Sequence, residues 1–256
     1  MISPAGIVSD LALAISFCTR IPVGRLVGDS ADLARASWAM PVAGAIVGAA
    51  GAVAYWVALR FEVPPLPAAA LALAATLLLT GCLHEDGLAD TADGFGGGAS
   101  RARKLEIMRD SRIGTFGVCA LIVSFALRWS ALVSQSTPLQ AGAALIAAHL
   151  AARAILPAFM RFVAPARPEG LSAQAGRPPV ESAVAAGLIG AIALGIALGP
   201  IATLSVIILL ALASSFMAWL CIRQIGGQTG DVLGALEQTA EIIVLLVAAS
   251  VARAHA

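Results

Sequence analysis

The sequence is poor in charge, in aromatic residues and in cysteine. Asp, Glu, Lys and Arg make up 12% of its 256 residues, about half of what a soluble domain carries, and hydrophobic residues make up 59%. This composition excludes a soluble globular domain and indicates an integral membrane protein. A net charge of +1, without a basic patch containing aromatic side chains, argues against a nucleic-acid partner.

Cysteine and histidine are too scarce for a disulfide framework or a structural zinc site. The four cysteines stand singly in apolar sequence, which predicts small buried side chains in a reducing compartment. Cys82, His84 and Glu85 could contribute to a zinc site, but no second Cys/His pair occurs at ligand spacing. We therefore expect no zinc site.

Long apolar runs, by contrast, fill most of the chain. Crossing the hydrocarbon core as a helix takes about 20 residues. Seven runs meet this requirement, at residues 36–59, 66–83, 113–133, 139–160, 182–200, 201–222 and 232–251. The stretch 182–222 is too long for one span and is broken at Gly199 and Pro200, so we predict two spans there.

These runs predict an all-α, polytopic helical bundle that forms one membrane domain over residues 1–256. The apolar segment 7–19 is shorter, carries Asp10 and is followed by no signal-peptide cleavage site. We therefore expect residues 1–35 to form an interfacial or re-entrant segment.

Basic residues collect in alternate connections, which indicates orientation, because Lys and Arg concentrate in cytoplasmic loops. On one side lie Arg20, Arg25, Arg35, Arg101, Arg103, Lys104, Arg109, Arg112, Arg161, Arg167, Arg177 and Arg223. The other side holds Arg60, with Arg253 in the C-terminal tail. We predict a cytoplasmic N-terminus and three cytoplasmic functional loops, at 84–112, 161–181 and 223–231.

The densest charge in the chain is the acidic run at residues 85–93. Read as a helix, Asp86, Asp90 and Asp93 are four and then three residues apart, so their side chains leave one face and can converge on a cation. Mg²⁺ prefers oxygen ligands and commonly bridges carboxylates to substrate phosphates. The run therefore predicts a magnesium site for phosphate chemistry, and the basic residues that follow, Lys104, Arg109 and Arg112, around Asp110, predict phosphate contacts.

Two later segments add candidate ligands. Gly227 and Thr229 belong to a glycine-rich turn before the last span, where backbone donors can meet an anion, and Asp231 offers a further metal ligand. The Pro-rich connection 164–171 carries Arg167 and Glu169 as its only ionisable groups.

Glu237 and Glu241 lie four residues apart inside the last span, where an acid is costly unless it faces a cavity, a cation or a partner. Two interpretations stay open for them. They could contribute to a cation site, or they could pair with Arg128 or Arg153, which lie inside other predicted spans.

With these motifs the chain resembles the adenosylcobinamide-GDP ribazoletransferase (cobalamin synthase) family over nearly its full length. The specific segments are 83–94 and 105–114, and segments 19–23, 166–171 and 226–235 support them. The resemblance implies that α-ribazole, or its 5′-phosphate, attacks the activated phosphate of adenosylcobinamide-GDP. GMP leaves and adenosylcobalamin, or its 5′-phosphate, forms in a late step of vitamin B12 biosynthesis. It also implies Mg²⁺ as cofactor and the bacterial inner membrane as location.

The candidate residues are then assigned to roles. We expect His84, Asp86, Asp90 and Asp93 to be catalytic, with His84 or an aspartate not committed to metal as the base for the ribose hydroxyl. We expect metal ligands at Asp86, Asp90, Asp93 and Asp231, with Glu85, Glu237 and Glu241 as further candidates. We expect substrate or phosphate contacts at Lys104, Arg109, Asp110, Arg112, Arg167, Gly227 and Thr229.

Two other functions are weighed against this one. A CDP-alcohol phosphotransferase also carries an Asp cluster, and residues 90–94 fit the opening of its motif, but Ala-Arg does not follow and the two later aspartates are missing. An ion-coupled transporter would bind its ion near the midplane. Here the acids concentrate at one membrane face and no interrupted helices repeat between halves. The sequence makes no prediction of oligomeric state.

Overall fold

The computed structural model describes residues 4–254, which form α-helices joined by short turns and contain no strand in that range. The helices are α1 (Pro4–Cys18), α2 (Leu33–Ala36), α3 (Met40–Arg60), α4 (Pro65–Thr80), α5 (Leu83–Gly97), α6 (Arg101–Ile107), α7 (Thr115–Val133), α8 (Pro138–Ala154), α9 (Leu156–Phe162), α10 (Leu171–Gln174), α11 (Val180–Leu198), α12 (Pro200–Ile225) and α13 (Gly230–Ala254). Short 3₁₀ turns at Gly24–Leu26 and Ser37–Ala39 flank α2.

Six stretches of the described chain are long and apolar enough to cross a membrane, and a bent pair of helices can make a seventh. The six are Leu33–Arg60, Thr115–Val133, Pro138–Phe162, Val180–Leu198, Pro200–Ile225 and Gly230–Ala252. The bent pair is α4 and α5, whose axes meet at 90°. Large apolar side chains such as Ile196 and Leu212 are exposed on α11 and α12, as lipid contact requires. The predicted polytopic all-α bundle is confirmed.

The predicted division of residues 182–222 into two helices is also confirmed. α11 ends where Gly199 takes a positive φ of 79°, and Pro200 is the first residue of α12. At the N-terminus, α1 has 15 residues, about 22 Å of helix, which is too short to cross the bilayer. The buried Asp10 ties α1 to the start of the first span, because it accepts a hydrogen bond from Trp38 Nε1 (3.1 Å) and pairs with Arg35 (2.9 Å).

The structure differs from the sequence prediction at the second span. That span stops at Thr80, because Gly81 and Cys82 both take left-handed backbone conformations, with φ of 67° and 61°. The first part of the predicted loop 84–112 is the helix α5. Its charged side chains lower the local hydropathy and suggest a loop, but its first turn is buried against the rest of the bundle.

Close helix contacts depend on small residues, as expected in a membrane bundle. Gly48 of α3 lies directly on α8, where an added Cβ would come within 2.6 Å of Ile146 Cα. The Ala/Gly-rich run at 43–52 is therefore a packing surface for α8. Of the four cysteines, Cys18 and Cys221 are buried as predicted, whereas Cys82 and Cys119 are exposed.

Candidate active site

Helix α5 carries the acidic run and lies against two spanning helices, α7 and α13. It is antiparallel to α7, because Asp93 near its end contacts Gly114 and Gly117, whereas Glu85 in its first turn contacts Arg128 far along α7. Its other neighbour is the start of α13. A Cβ at Gly87 would lie 2.8 Å from the carbonyl oxygen of Asp231, so the two backbones touch there.

Three carboxylates lie around this contact, and we call Asp86, Asp90 and Asp231 the acidic centre. The charges of Asp86, Asp231 and Asp93 act on Asp90, which is half-buried. Arg167 Nη2 lies 3.8 Å from Asp231 Oδ2, and the Thr229 hydroxyl donates to that oxygen at 3.1 Å. No Lys or Arg of the described chain forms an ion pair with Asp86 or Asp90.

The acidic centre fits a hard divalent cation on the chemistry of its donors. Neighbouring carboxylates repel one another, Asp86 and Asp90 have no basic ion-pair partner in the described chain, and a divalent cation with oxygen ligands removes that repulsion. Asp86 and Asp90, one helical turn apart on α5, and Asp231, from the first turn of α13, are the residues present for this purpose.

Asp93 has a different environment from the other aspartates of the run. Its Oδ2 accepts a hydrogen bond from Gly114 N at 2.7 Å, and its Oδ1 accepts one from Gly117 N at 2.8 Å. These amides belong to the first turn of α7, where helical N–H groups lack partners within the helix. Asp93 therefore caps α7, and its assignment to the metal and catalytic sets stays a prediction.

Glu85, Glu237 and Glu241 pair with arginines in the interior of the bundle. Arg128 Nη1 lies 3.1 Å from both Glu85 Oε1 and Glu241 Oε2. Arg153 Nη1 lies 2.5 Å from Glu237 Oε1 and 3.3 Å from Glu241 Oε1. All five residues are buried. Pairing with Arg128 and Arg153, one of the two interpretations of the intramembrane acids, is present, and we call these residues the buried charge network.

His149 joins the same network through its contact with Glu241. His149, Glu237 and Glu241 bring their ligand atoms close enough to hold a metal ion. Their carboxylates already face Arg128 and Arg153, however, and a guanidinium repels a cation. The assignment of Glu85, Glu237 and Glu241 as further metal candidates stays a prediction, and the arginine contacts count against it.

His84 connects the network to the acidic centre, and its hydrogen bonding defines its tautomer. Its Nδ1 lies 3.2 Å from Arg153 Nη2 and 3.7 Å from Glu237 Oε1. Arginine has donors only, so Nδ1 is the acceptor and the proton of the neutral ring is on Nε2. In this state His84 can donate a hydrogen bond from Nε2 and cannot accept a proton there.

The three predicted functional loops meet beside the acidic centre. Pro165 and Gln228 form an isolated bridge in which Gln228 N donates to Ala164 O (2.9 Å) and Ala166 N donates to Gln228 O (2.8 Å). Arg101 Nη2 donates to Ala166 O at 2.7 Å and ties in the loop before α7. The arrangement brings residues from distant parts of the chain to one end of the bundle.

The glycine-rich turn holds these loops together. Gly227 N donates to Cys221 O at 3.4 Å, and an added Cβ at Gly227 would lie 2.9 Å from Ala166 N. Thr229 Oγ1 donates to Asp231 and accepts from Val232 N at 3.3 Å. These polar groups are engaged within the protein and position the turn, and the assignment of Gly227 and Thr229 as phosphate contacts stays a prediction.

The basic residues predicted to contact phosphate are of two kinds: some join parts of the protein, and others lie at its surface. Lys104 Nζ donates to Gln224 and to Phe95 O, so it joins α6 to α12 and does not face open space. Arg109 pairs with Glu169 at 3.3 Å on the surface.

Arg112 is largely exposed and forms a two-pronged pair with Asp110, at 3.0 Å and 2.6 Å. The hydrogen bonds from Arg112 lower the pKa of Asp110 to about 2, so Asp110 is ionised at neutral pH.

Two openings flank the acidic helix, and Asp86 borders both. One, which we call the polar groove, has a volume of about 320 Å³ and is lined by Asp86, Asp90, Arg109, Asp110 and Ser111, among others. The other, which we call the apolar cavity, has a volume of about 140 Å³. Its polar lining residues include His84, Asp86 and Asp231.

The apolar cavity contains site residues that the sequence analysis did not find. Phe17, Leu33 and Met160 line it from α1, α2 and α9. In a chain so rich in apolar residues, nothing distinguishes these side chains from ordinary core or lipid-facing ones. Only the closure of the N-terminal segment over α5 and α13 brings them to the aspartates.

Comparison with known proteins identifies the family of the chain. The family model "Cobalamin-5-phosphate synthase" matches residues 10–249. A protein of Bradyrhizobium diazoefficiens named adenosylcobinamide-GDP ribazoletransferase is 60% identical over 246 residues, which is 95% of this chain and 94% of the relative. A protein of the same name from Mesorhizobium japonicum is 53% identical, with 96% and 95% covered.

A third protein of that name, from Azorhizobium caulinodans, is 47% identical over 97% of this chain and 98% of its own. No solved structure matches the chain. These comparisons favour neither the CDP-alcohol phosphotransferase nor the transporter. The family model and the relatives span almost the whole sequence, and the chain belongs to the cobalamin-5-phosphate synthase family.

Proposed function

We propose that the protein transfers the adenosylcobinamide phosphate group from adenosylcobinamide-GDP to α-ribazole or its 5′-phosphate, with release of GMP. The observation that carries this proposal is the acidic centre at the end of the bundle, bordered by a groove with Arg109. Family membership supports the substrates, since the relatives are named for them.

The transfer is a displacement at one phosphorus atom. A ribose hydroxyl oxygen of the ribazole bonds to the phosphorus next to cobinamide, and the bond from that phosphorus to the bridging oxygen of the diphosphate breaks. GMP leaves with the bridging oxygen and its electron pair, and the hydroxyl proton passes to a carboxylate. Such reactions need positioning and charge neutralisation more than covalent help from the protein.

Asp86, Asp90 and Asp231 would hold Mg²⁺. When bound, this cation supplies neutralisation of the diphosphate charge, which lowers the barrier to displacement. The absence of a basic ion-pair partner for Asp86 and Asp90 in the described chain supports this assignment. Arg109, Arg112 and Arg167 would steady the phosphate oxygens from the loops around the centre.

Arg167 has a particular reason for this role. Its Nη2 faces Asp231, and its Nη1 is buried without a hydrogen-bond partner. A buried unpaired donor is costly, and a substrate phosphate oxygen would satisfy it.

We assign the base to an aspartate of the acidic centre and not to His84. The support is the hydrogen bond between Arg153 and His84 Nδ1, which leaves His84 a donor at Nε2. The His84→Gln variant should therefore lose about 10- to 100-fold in activity and keep the acid limb of its pH profile. Disappearance of that limb would make His84 the base.

The proposed location is the bacterial inner membrane, with the acidic centre facing the cytoplasm. The support is the set of basic residues around the site, including Arg101 and Arg109, because positive residues concentrate on the cytoplasmic side.

The testing experiment uses purified protein in detergent with adenosylcobinamide-GDP and α-ribazole. We expect a cobalamin product and GMP with Mg²⁺, and neither after chelation. The variant Asp90→Asn should lose at least about 100-fold in activity and also lose the rise in melting temperature on addition of Mg²⁺. Asp29→Asn, at an exposed turn, is the matched control. Normal turnover by Asp90→Asn would refute the metal assignment, and no product from folded wild-type protein would refute the reaction.

A further inference from the structure

The apolar cavity has the composition of a binding site for an aromatic ring. Its walls come from seven helices and the segment after α10, and include Phe17, Leu33, Met40, Leu156 and Met160. Engineered apolar cavities of about 150 Å³ take up benzene and stay free of water. A volume of about 140 Å³ is therefore suited to a small ring system and far too small for a corrinoid.

Four polar side chains interrupt the apolar lining of the cavity. His84, Asp86 and Asp231 come from α5 and α13, which carry the acidic centre, and Ser172 adds a hydroxyl from α10. A molecule that fills the cavity should therefore be apolar at one end and carry a hydroxyl or similar group at the other. A nucleoside with an apolar aromatic base has this pattern.

Asp86 also lines the polar groove. The groove offers Arg109 and Ser111 to phosphate groups, and it contains Asp90 and Asp110, whose charge a bound divalent cation would offset. The attacking and leaving oxygens of a phosphoryl transfer lie roughly in line across the phosphorus, so the two substrates need separate binding sites that meet at the reacting atom. Two openings of different polarity that share Asp86 suit this requirement.

We propose that the apolar cavity is the subsite for the aromatic base of the ribazole, and that the polar groove receives the diphosphate of the GDP-activated substrate. This inference rests on the proposed function. Binding the benzimidazole ring between Leu33 and Met160 directs its ribose towards Asp86 and Asp231, where the hydroxyl loses its proton.

If the apolar cavity binds the base, the N-terminal segment takes part in substrate binding. Helices α1 and α2 supply Phe17 and Leu33, and the contacts of Asp10 with Trp38 and Arg35 attach α1 to the first span. These helices supply part of the cavity wall. They therefore contribute to the choice of base, while α5 and α13 carry the aspartates.

The test uses two alanines beside α10. Ala175 is buried and lines the apolar cavity, whereas Ala173 lines a separate opening formed with Arg161 and Arg177. The variant Ala175→Leu should raise the KM for α-ribazole about tenfold or more, and change the KM for adenosylcobinamide-GDP less than twofold. The variant Ala173→Leu should leave both constants within twofold of wild type.

A second measurement needs no variant. Free benzimidazole should inhibit the wild-type enzyme competitively against α-ribazole and not against adenosylcobinamide-GDP, and it should raise the melting temperature of wild type but not of Ala175→Leu. Competition against adenosylcobinamide-GDP would place benzimidazole in the binding site of that substrate and overturn the inference. Absence of both inhibition and stabilisation would leave lipid as the occupant, which also overturns it.

The two proposals fail in different ways. If folded wild-type protein makes no product, the proposed function fails, and the inference about α-ribazole falls with it. If wild type is active and Ala175→Leu keeps its KM for α-ribazole, only the subsite assignment is wrong.

Discussion

Asp90 and Asp93 are one turn apart on the same helix, yet their carboxylates have different surroundings. Asp90 faces Asp86 and Asp231 across the contact between α5 and α13. Asp93 accepts two backbone hydrogen bonds from the first turn of α7. The first arrangement is unfavourable without a cation, whereas the second is satisfied by the protein itself. Replacements at the two positions should therefore have different effects.

We predict that Asp93→Ala lowers stability more than it lowers chemistry. Losing two hydrogen bonds to a charged acceptor at the start of α7 should cost about 2 kcal/mol, which lowers the melting temperature in detergent. At a temperature where the variant remains folded, it should keep measurable turnover and its stabilisation by Mg²⁺. A comparison of melting curves with and without Mg²⁺ checks both expectations.

The result for Asp90→Asn provides the contrast, with a near wild-type melting temperature and no effect of Mg²⁺. An Asp93→Ala protein with unchanged stability and no Mg²⁺ response would return Asp93 to the metal set.

For single residues, the sequence predicts which side chains share a helix face. It does not predict which groups those side chains contact. The spacing of Asp86, Asp90 and Asp93 is visible in the chain, and the helix it implies is present. The amides that bind Asp93 belong to Gly114 and Gly117, more than 20 residues further on. No local pattern contains that information.

Helices α5 and α13 owe their closeness to two glycines that face each other. An added Cβ at Gly87 would lie 2.8 Å from Asp231 O, and one at Gly234 would lie 3.0 Å from His84 O. Real Cβ atoms do not approach so closely, so either addition must separate the helices. The spacing between Asp86 on α5 and Asp231 on α13 depends directly on this contact.

We predict that Gly87→Ala disrupts the site through this separation. Overpacking should cost about 1–3 kcal/mol, and displacement of Asp231 should reduce activity by more than tenfold. The matched control is Gly187→Ala on α11, where nothing lies within 4 Å of the added Cβ. Alanine favours helix over glycine, so the control should be as stable as wild type or slightly more so.

Melting temperature and turnover of the two variants provide the measurement. Equal behaviour of Gly87→Ala and Gly187→Ala would show that the contact between α5 and α13 tolerates adjustment and does not position the aspartates.

The elements themselves were only partly predictable. Hydropathy gives the long spans well, because length and apolarity are local properties, and the break at Gly199 and Pro200 is local too. The bend at Gly81 and Cys82 was not predicted, since a cysteine rarely takes positive φ. Nor was the burial of the first turn of α5, which depends on Arg128 arriving from α7 to pair with Glu85.

Across the whole molecule, one set of charged residues is buried inside the bundle and another lies in the loops at one end. The buried charge network links four helices, because Glu85 is on α5, Arg128 on α7, Arg153 on α8, and Glu237 and Glu241 on α13. Buried ions of this kind are costly to separate, about 3–5 kcal/mol when one partner is removed. The network thus holds together the helices that also carry the acidic centre, and the loops at one end supply the arginines.

This asymmetry leads to a prediction of topology. The connection between α6 and α7 contains Ser111, next to Arg109 and Arg112, and the opposite connection between α7 and α8 contains Ser134, with no basic residue near it. Because one span separates them, the two serines must lie on opposite sides of the membrane. We predict that Ser111 faces the cytoplasm.

The experiment introduces Ser111→Cys or Ser134→Cys into a chain whose four native cysteines are replaced. In intact cells, a membrane-impermeant thiol reagent should label the cysteine at 134 and leave the cysteine at 111 unlabelled until the membrane is opened. Both sites are exposed, so burial does not explain a difference between them. The reverse pattern would put the acidic centre on the outer side, where the arginine distribution would contradict the positive-inside rule. Labelling of both cysteines in intact cells would contradict α7 as a span.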